Sequence, residues 1–125
     1  MRMKRHKIVV CGSRFHTDVE LIERVLDAYW SRLGHAMLLI TGGAEGADEI
    51  ARAWAVSRKC DHLVMYAWWD TEGKGAGPTR NRRMLDRKPH LVLAFYSHGE
   101  GHKNRGTNNM VKIAQDAGIK VKKFH

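Results

Sequence analysis

Ala36-Met37-Leu38-Leu39-Ile40, followed by Thr41-Gly42-Gly43-Ala44-Glu45-Gly46-Ala47-Asp48, decides the fold. A short apolar run stops at a glycine-bearing polar turn, and a helical period opens inside that turn: Ala47, Ile50, Ala51, Trp54 and Ala55 recur at three- and four-residue spacings. A strand that hands over to a helix in this way is the unit of a parallel sheet. The handover recurs at Cys11-Gly12-Ser13-Arg14, at Gly73-Lys74-Gly75-Ala76-Gly77-Pro78 and at Asn104-Arg105-Gly106-Thr107-Asn108. Such turns collect at the carboxyl edge of one sheet, where free backbone N–H groups and helix N-termini make a crevice suited to phosphate.

Working outward, Lys7 to Cys11, His62 to Tyr66, His90 to Phe95 and Ile119 to Lys123 join Ala36 to Ile40 as strands. Their continuous, β-branched character is that of strands buried on both faces. Val19, Ile22, Leu26, Tyr29, Trp30 and Leu33 form a helix, with Thr17-Asp18-Val19-Glu20 as a capping box and Gly34 as its stop. A third helix is expected to begin at Pro78 and a fourth to run from Thr107 to Ala117. The expected architecture is a three-layer, Rossmann-like α/β domain spanning residues 1–125. Its five parallel strands take the order 3-2-1-4-5, with helices on both faces. That order puts a topological switch point between the first and fourth strands, so the turns at Gly12 and Gly106 should face each other.

Composition bounds the function classes. The chain has 22 Lys and Arg against 13 Asp and Glu, a net charge of +9, which favours phosphorylated or polyanionic partners. The charge is dispersed along the chain, so a merely basic surface is the competing reading. No apolar run approaches a membrane span, and the basic start at Met1 to Lys7 leads into only a few apolar residues. The expectation is a cytoplasmic protein without leader or anchor. Cys11 and Cys60 have no disulfide or metal spacing, and His98 with His102 lacks a carboxylate or cysteine partner, so no metal site is expected.

The candidate site residues sit in the turns. Thr41, Gly42 and Gly43 let backbone approach a phosphate, although a tight turn without a ligand would use the same glycines. Asp48, in the first helical turn, either answers the helix dipole, orients a ligand hydroxyl or holds a neighbouring loop. Lys74, Gly75, Arg80 and Asn81 combine a glycine loop with cations in the first turns of a helix, which are unfavourable there unless an anion compensates them. Gly12, Ser13 and Arg14 repeat the theme, with Arg14 as a second phosphate clamp, and Gly106, Thr107 and Asn108 close the set. Trp69 either packs as a lid or stacks on a base. Asp48, Glu45 and Glu100 are the acid–base candidates. The segment Ser97 to Lys103 is either a flap over the crevice or a surface loop.

Thr41 to Ala55, Trp69, Gly73 to Leu85, Pro89 to Phe95 and Arg105 to Val111 together closely resemble the YspA-like branch of the SLOG superfamily, Rossmann-like domains related to DprA and to LOG-type nucleotide phosphoribohydrolases. The resemblance implies a ligand that is a nucleotide or a nucleotide-derived phosphate, ADP-ribose-like or a nucleoside phosphate, either hydrolysed or sensed and sequestered. It also implies a homodimer, since relatives commonly form dimers. The LOG-type motif carries a glutamate where this chain has Met110, and a methionine can neither take a proton nor stabilise an oxocarbenium-like centre, so phosphoribohydrolase chemistry by that route is not expected. The competing class is single-stranded nucleic-acid binding, which Thr41 to Ala51 and the net charge favour and the sparse aromatic interleaving of the basic segments does not.

Overall fold

The computed structural model describes residues 4–99 and 103–125. Five strands, β1 (His6–Gly12), β2 (Met37–Thr41), β3 (His62–Val64), β4 (Leu91–Phe95) and β5 (Lys120–Phe124), form one parallel sheet in the order β3-β2-β1-β4-β5. Five helices accompany them: α1 (Val19–Leu33), α2 (Ala47–Arg58), α3 (Trp69–Glu72), α4 (Ala76–Asp86) and α5 (Arg105–Asp116). The fold class and strand order are those read from the sequence.

The central strands show why the apolar runs are continuous. Alternate residues of a strand point to opposite faces, and both faces are covered. Ile8 and Val10 of β1, with Leu91, Leu93 and Phe95 of β4, pack against Ile22 and Leu26 of α1 and Ala51, Trp54 and Ala55 of α2. Val9 and Cys11, with Val92 and Ala94, pack against Met84 of α4 and Met110, Val111 and Ala114 of α5. Two apolar layers thus sandwich the sheet, and every interior position of β1 and β4 is occupied by an apolar residue. The outer helices are tied by polar contacts as well: Asp27 of α1 accepts from Trp54 Nε1 at 2.8 Å and from the Arg58 fork at 3.0 and 3.1 Å.

Local expectations shift in four places. The α1 cap is Asp18, whose carboxylate accepts from Leu21 N–H at 3.1 Å, so the helix begins one residue later than a Thr17 box would place it. Asp is as good a cap as Thr, and here it takes the role. Helix α4 starts at Ala76, putting Pro78 at its third position, where the missing N–H still costs no helical bond. Likewise α5 starts at Arg105 rather than Thr107. The long connection after β3 is not irregular: it contains α3 and a 3₁₀ turn at Gly73–Gly75.

The chain crosses tightly at the end of β1. A Cβ on Gly12 would lie 2.5 Å from the Phe95 carbonyl oxygen and 2.6 Å from Ala47 Cβ, so β4 and α2 close on a position with room for hydrogen alone. Because one obstacle is backbone, a side chain cannot be accommodated by a rotamer change. Gly12→Ala is expected to lower stability by about 2–4 kcal/mol in urea unfolding. Gly106→Ala, in the first turn of α5 with nothing within 4 Å of the added methyl, should be neutral or slightly stabilising. Equal losses in the two variants would refute steric closure at Gly12 as the cause.

Candidate functional site

At the carboxyl edge of the sheet the turns after β1 and β4 and the starts of α2, α4 and α5 enclose a cavity of about 590 Å³. From β1 and its turn come Cys11, Gly12, Ser13, Arg14 and Phe15. The turn after β2 and α2 supply Ala44 and Asp48. Trp69, Lys74, Gly77, Pro78, Arg80, Asn81 and Met84 line the side formed by α3 and α4, and Lys103, Asn104, Arg105, Gly106, Thr107 and Asn109 the side formed by α5. Gly12 and Gly106 therefore face one space across the switch point between β1 and β4.

Ser13 fixes the mouth of β1. Its N–H donates to Phe95 O at 2.9 Å and its carbonyl accepts from Ala47 N–H at 3.2 Å. Its hydroxyl oxygen accepts from Phe15 N–H at 3.0 Å and from Ser97 Oγ–H at 2.6 Å. One buried residue thereby joins the exits of β1 and β4 to the entry of α2.

Asp48 is buried, and its Oδ2 accepts from Ala44 N–H at 3.2 Å, so it holds the glycine turn closed. Its other oxygen, Oδ1, is buried and has no hydrogen-bond partner among the described residues. Burial is the largest influence on this carboxyl and pushes its pKa up to about 6, while the Arg80 charge and backbone N–H groups pull the other way. Arg80 lies across the same turn: Nη1 donates to Gly42 O, and Nε donates to Asn81 Oδ1 at 2.9 Å. A Cβ on Gly42 would come within 2.7 Å of Arg80 Cζ, so the glycine makes room for the guanidinium. Asn81 passes the connection onward, donating from Nδ2 to Gly106 O at 3.1 Å and to Asn109 Oδ1 at 2.9 Å. Its amide is thus a strut between α4 and α5. Cys11, on the cavity floor, has its thiol pushed far up by burial and is no nucleophile.

The helix starts here lack side-chain caps. The N-cap positions of α2, α4 and α5 are Gly46, Gly75 and Asn104, and none supplies a side-chain bond to its helix. Asn104 is turned to Ser97 instead, accepting from its N–H at 3.2 Å and donating to its carbonyl at 2.9 Å. The first N–H groups of α5 are left facing a cavity lined by Arg14, Lys74, Arg80, Lys103 and Arg105, against which Asp48 is the sole carboxylate among the described residues, whereas at the start of α4 the Ala76 N–H donates to Gly73 O and Pro78 has none. Dipole and side-chain charge act together there, and both favour an anion.

Of the residues expected at a site, Gly12, Ser13, Arg14, Asp48, Trp69, Lys74, Arg80, Asn81, Gly106 and Thr107 meet in this cavity. Thr41, Gly42 and Gly43 stand behind its wall, with Thr41 fully buried and its hydroxyl accepting from Gly43 N–H at 3.4 Å. Glu45 and Asn108 are exposed and, like Gly75, do not line it. Glu100 lies outside the described residues, as do Gly101 and His102 of the segment before α5. Arg83 is turned away to Glu72, at 2.7 and 3.2 Å. Phe15, Lys103, Asn104, Arg105 and Asn109 were not anticipated. The sequence signal for Lys103 and Arg105 was masked by Asn104, a competent cap residue whose side chain turns to Ser97 instead. Met110 is fully buried in the apolar layer of α5, away from the cavity.

A Rossmann-like sheet whose switch point opens into a cationic cavity is the class these features define. Residues 6–71 match the YAcAr family, described as the YspA, cpYpsA-related SLOG family. The Gene 61 protein of Mycobacterium phage D29 is 30% identical over 123 residues, covering 94% of this chain and 95% of that protein. The chain belongs to the YspA, cpYpsA-related SLOG family. Its fold is also that of DNA processing protein A (DprA) from Streptococcus pneumoniae, with a TM-score of 0.72 at 18% identity over 95% of this chain and 50% of the other. The chain thus spans about half the length of that protein. Among the described residues no helix is long and apolar enough to cross a membrane.

Asp48 gives the cavity a pH signature. Its native pKa of about 6 stands above the ordinary 3.8, so the native state holds a proton that the unfolded chain has lost between those values. Stability is therefore retained below about pH 4 and lost as pH rises through about 6, by on the order of 3 kcal/mol. Asp48→Asn removes this dependence, while His6 and His16, whose pKa values burial lowers, cancel in the comparison. Urea unfolding of both proteins should show the variant gaining on wild type across that window; parallel profiles would rule out the buried titration.

Proposed function

We propose that this protein binds a nucleotide or nucleotide-derived phosphate ligand, ADP-ribose-like or a nucleoside phosphate, in the cavity at the carboxyl edge of its sheet. The observation that carries the reading is the pairing of opposite demands in one space. Five cations and the uncapped start of α5 call for an anion, whereas Asp48 Oδ1 calls for a hydrogen-bond donor. A bare phosphate would be repelled by that carboxylate. A ligand with phosphate at one end and sugar hydroxyls at the other satisfies both.

In this reading the α5 N-terminus, Gly106, Thr107 and Arg105 hold phosphate together with Lys74 and Arg14. Asp48 accepts from a ribose hydroxyl, and Trp69, 58% exposed at the cavity wall, stacks on the base. Arg80 and Asn81 keep the walls in register and present the remaining guanidinium N–H groups. Burial of Met110 supports binding or sensing over LOG-type hydrolysis, because a side chain inside the apolar layer supplies no proton acceptor. Asp48, with a pKa of about 6, is the group through which any bond cleavage would pass.

Nucleic-acid binding has one observation in its favour beyond fold likeness: Tyr66, Trp68 and Trp69, in the connection after β3, are 53%, 58% and 58% exposed, aromatic rings of the kind on which bases stack. Thermal-shift titration separates the two. ADP-ribose, AMP or NAD should raise the melting temperature with little dependence on salt, a ligand at about a hundredfold its Kd adding roughly 2.7 kcal/mol. Lys74→Ala and Arg105→Ala, both at exposed positions, should each weaken binding about fivefold without altering the unliganded melting temperature. Stabilisation by short single-stranded DNA alone, collapsing as salt rises, would replace the small-ligand reading with the nucleic-acid one.

A further inference from the structure

On the opposite edge of the sheet, the starts of β1, β4 and β5 and the last turn of α1 enclose a second groove of about 420 Å³. His6 of β1, Tyr29 and Arg32 of α1, His90 ahead of β4, and Lys120 and Lys122 of β5 line it over Leu33 and Leu91. No carboxylate lines it among the described residues. Its cations settle on an aromatic face instead: Arg32 Cζ lies 5.0 Å and Lys122 Nζ 5.7 Å from the centre of the Tyr29 ring, and neither side chain has an ion pair among the described residues.

The two imidazoles complete the arrangement. His6 and His90 stack with centroids 4.8 Å apart and planes at 18°. His90 Nδ1 accepts from Lys7 N–H at 3.1 Å, which leaves the proton of the neutral ring on Nε2 as a free donor. The Lys7 ammonium is engaged elsewhere, donating to Arg87 O at 2.9 Å. His6 is held below its ordinary pKa by burial first and then by the charges of His90 and Arg32. The groups facing this imidazole from β1, α1, β4 and β5 are all neutral or cationic, so a bound anion is the missing counter-charge.

We propose that this groove is a second anion site, taking a phosphoryl group either free or at the end of a larger molecule, with affinity that rises as pH falls. The site is independent of the cavity at the other edge. An anion beside His6 favours its protonated form, so binding takes up a proton and tightens as pH falls.

Histidine Cε1–H resonances followed by NMR test this directly. Sulfate, whose charge does not change in this range, should move the His6 and His90 signals and bind about fivefold tighter at about pH 5.5 than at about pH 7.5. Inorganic pyrophosphate at a fixed pH of about 7.5 should also move these signals in wild type and lose at least about fivefold in affinity in Arg32→Ala and Lys122→Ala, both exposed. A short oligonucleotide should perturb the pair only when it bears a 5′-phosphate if terminal phosphates are the source. Absence of any shift at saturating anion, shifts unchanged in both variants, or equal response to oligonucleotides with and without the terminal phosphate would overturn the proposal.

Discussion

The cavity depends on one constraint: β1 and β4 lie side by side and end level, while the helices that follow them leave toward opposite faces. Gly12 pairs with Phe95 at that level, and α1 and α5 then diverge into separate apolar layers. The gap between them cannot be filled by helix, because neither crossover passes over it. Ser13 keeps the gap at fixed width by bonding to the end of β4, the start of α2 and Ser97 at once.

Electrostatics then decide what the gap can hold. A guanidinium and a carboxylate stand on its walls, yet Arg80 is spent partly on Gly42 O and Asn81, and Asp48 partly on Ala44 N–H. Each keeps unused capacity, Arg80 in its remaining N–H donors and Asp48 in the buried, unpartnered Oδ1. The two charges temper each other, which is why Asp48 titrates near 6 instead of higher. A wall built from partly satisfied groups is costly to the empty protein, in the usual trade between stability and function.

Most of the architecture was legible because its signals are strong and local. Ile8, Val9 and Val10 announce a strand covered on both faces, and the glycine turns announce where each helix begins. Boundaries were less so: Thr17 and Asp18 are both competent caps, and only tertiary placement of Leu21 selects Asp18. Helix α3 escaped notice because four residues carry no periodicity. Within the site, residue types were readable and partners were not. Nothing in the sequence says that the Asn81 amide will be consumed by Gly106 and Asn109, or that Arg83 will choose Glu72 over the cavity, since both outcomes require knowing how α3 and α5 lie against α4. Lys103 and Arg105 came into view only once α5 was seen to start at Arg105 without a cap.

Asn104 clasps Ser97 by both of its backbone polar groups, so the strand exit and the helix entry are pinned to one another independently of what joins them. Closing a longer excursion between such pinned ends adds little entropic penalty. The clasp therefore preserves the alignment of β4 with α5 whatever the length of chain between Ser97 and Asn104.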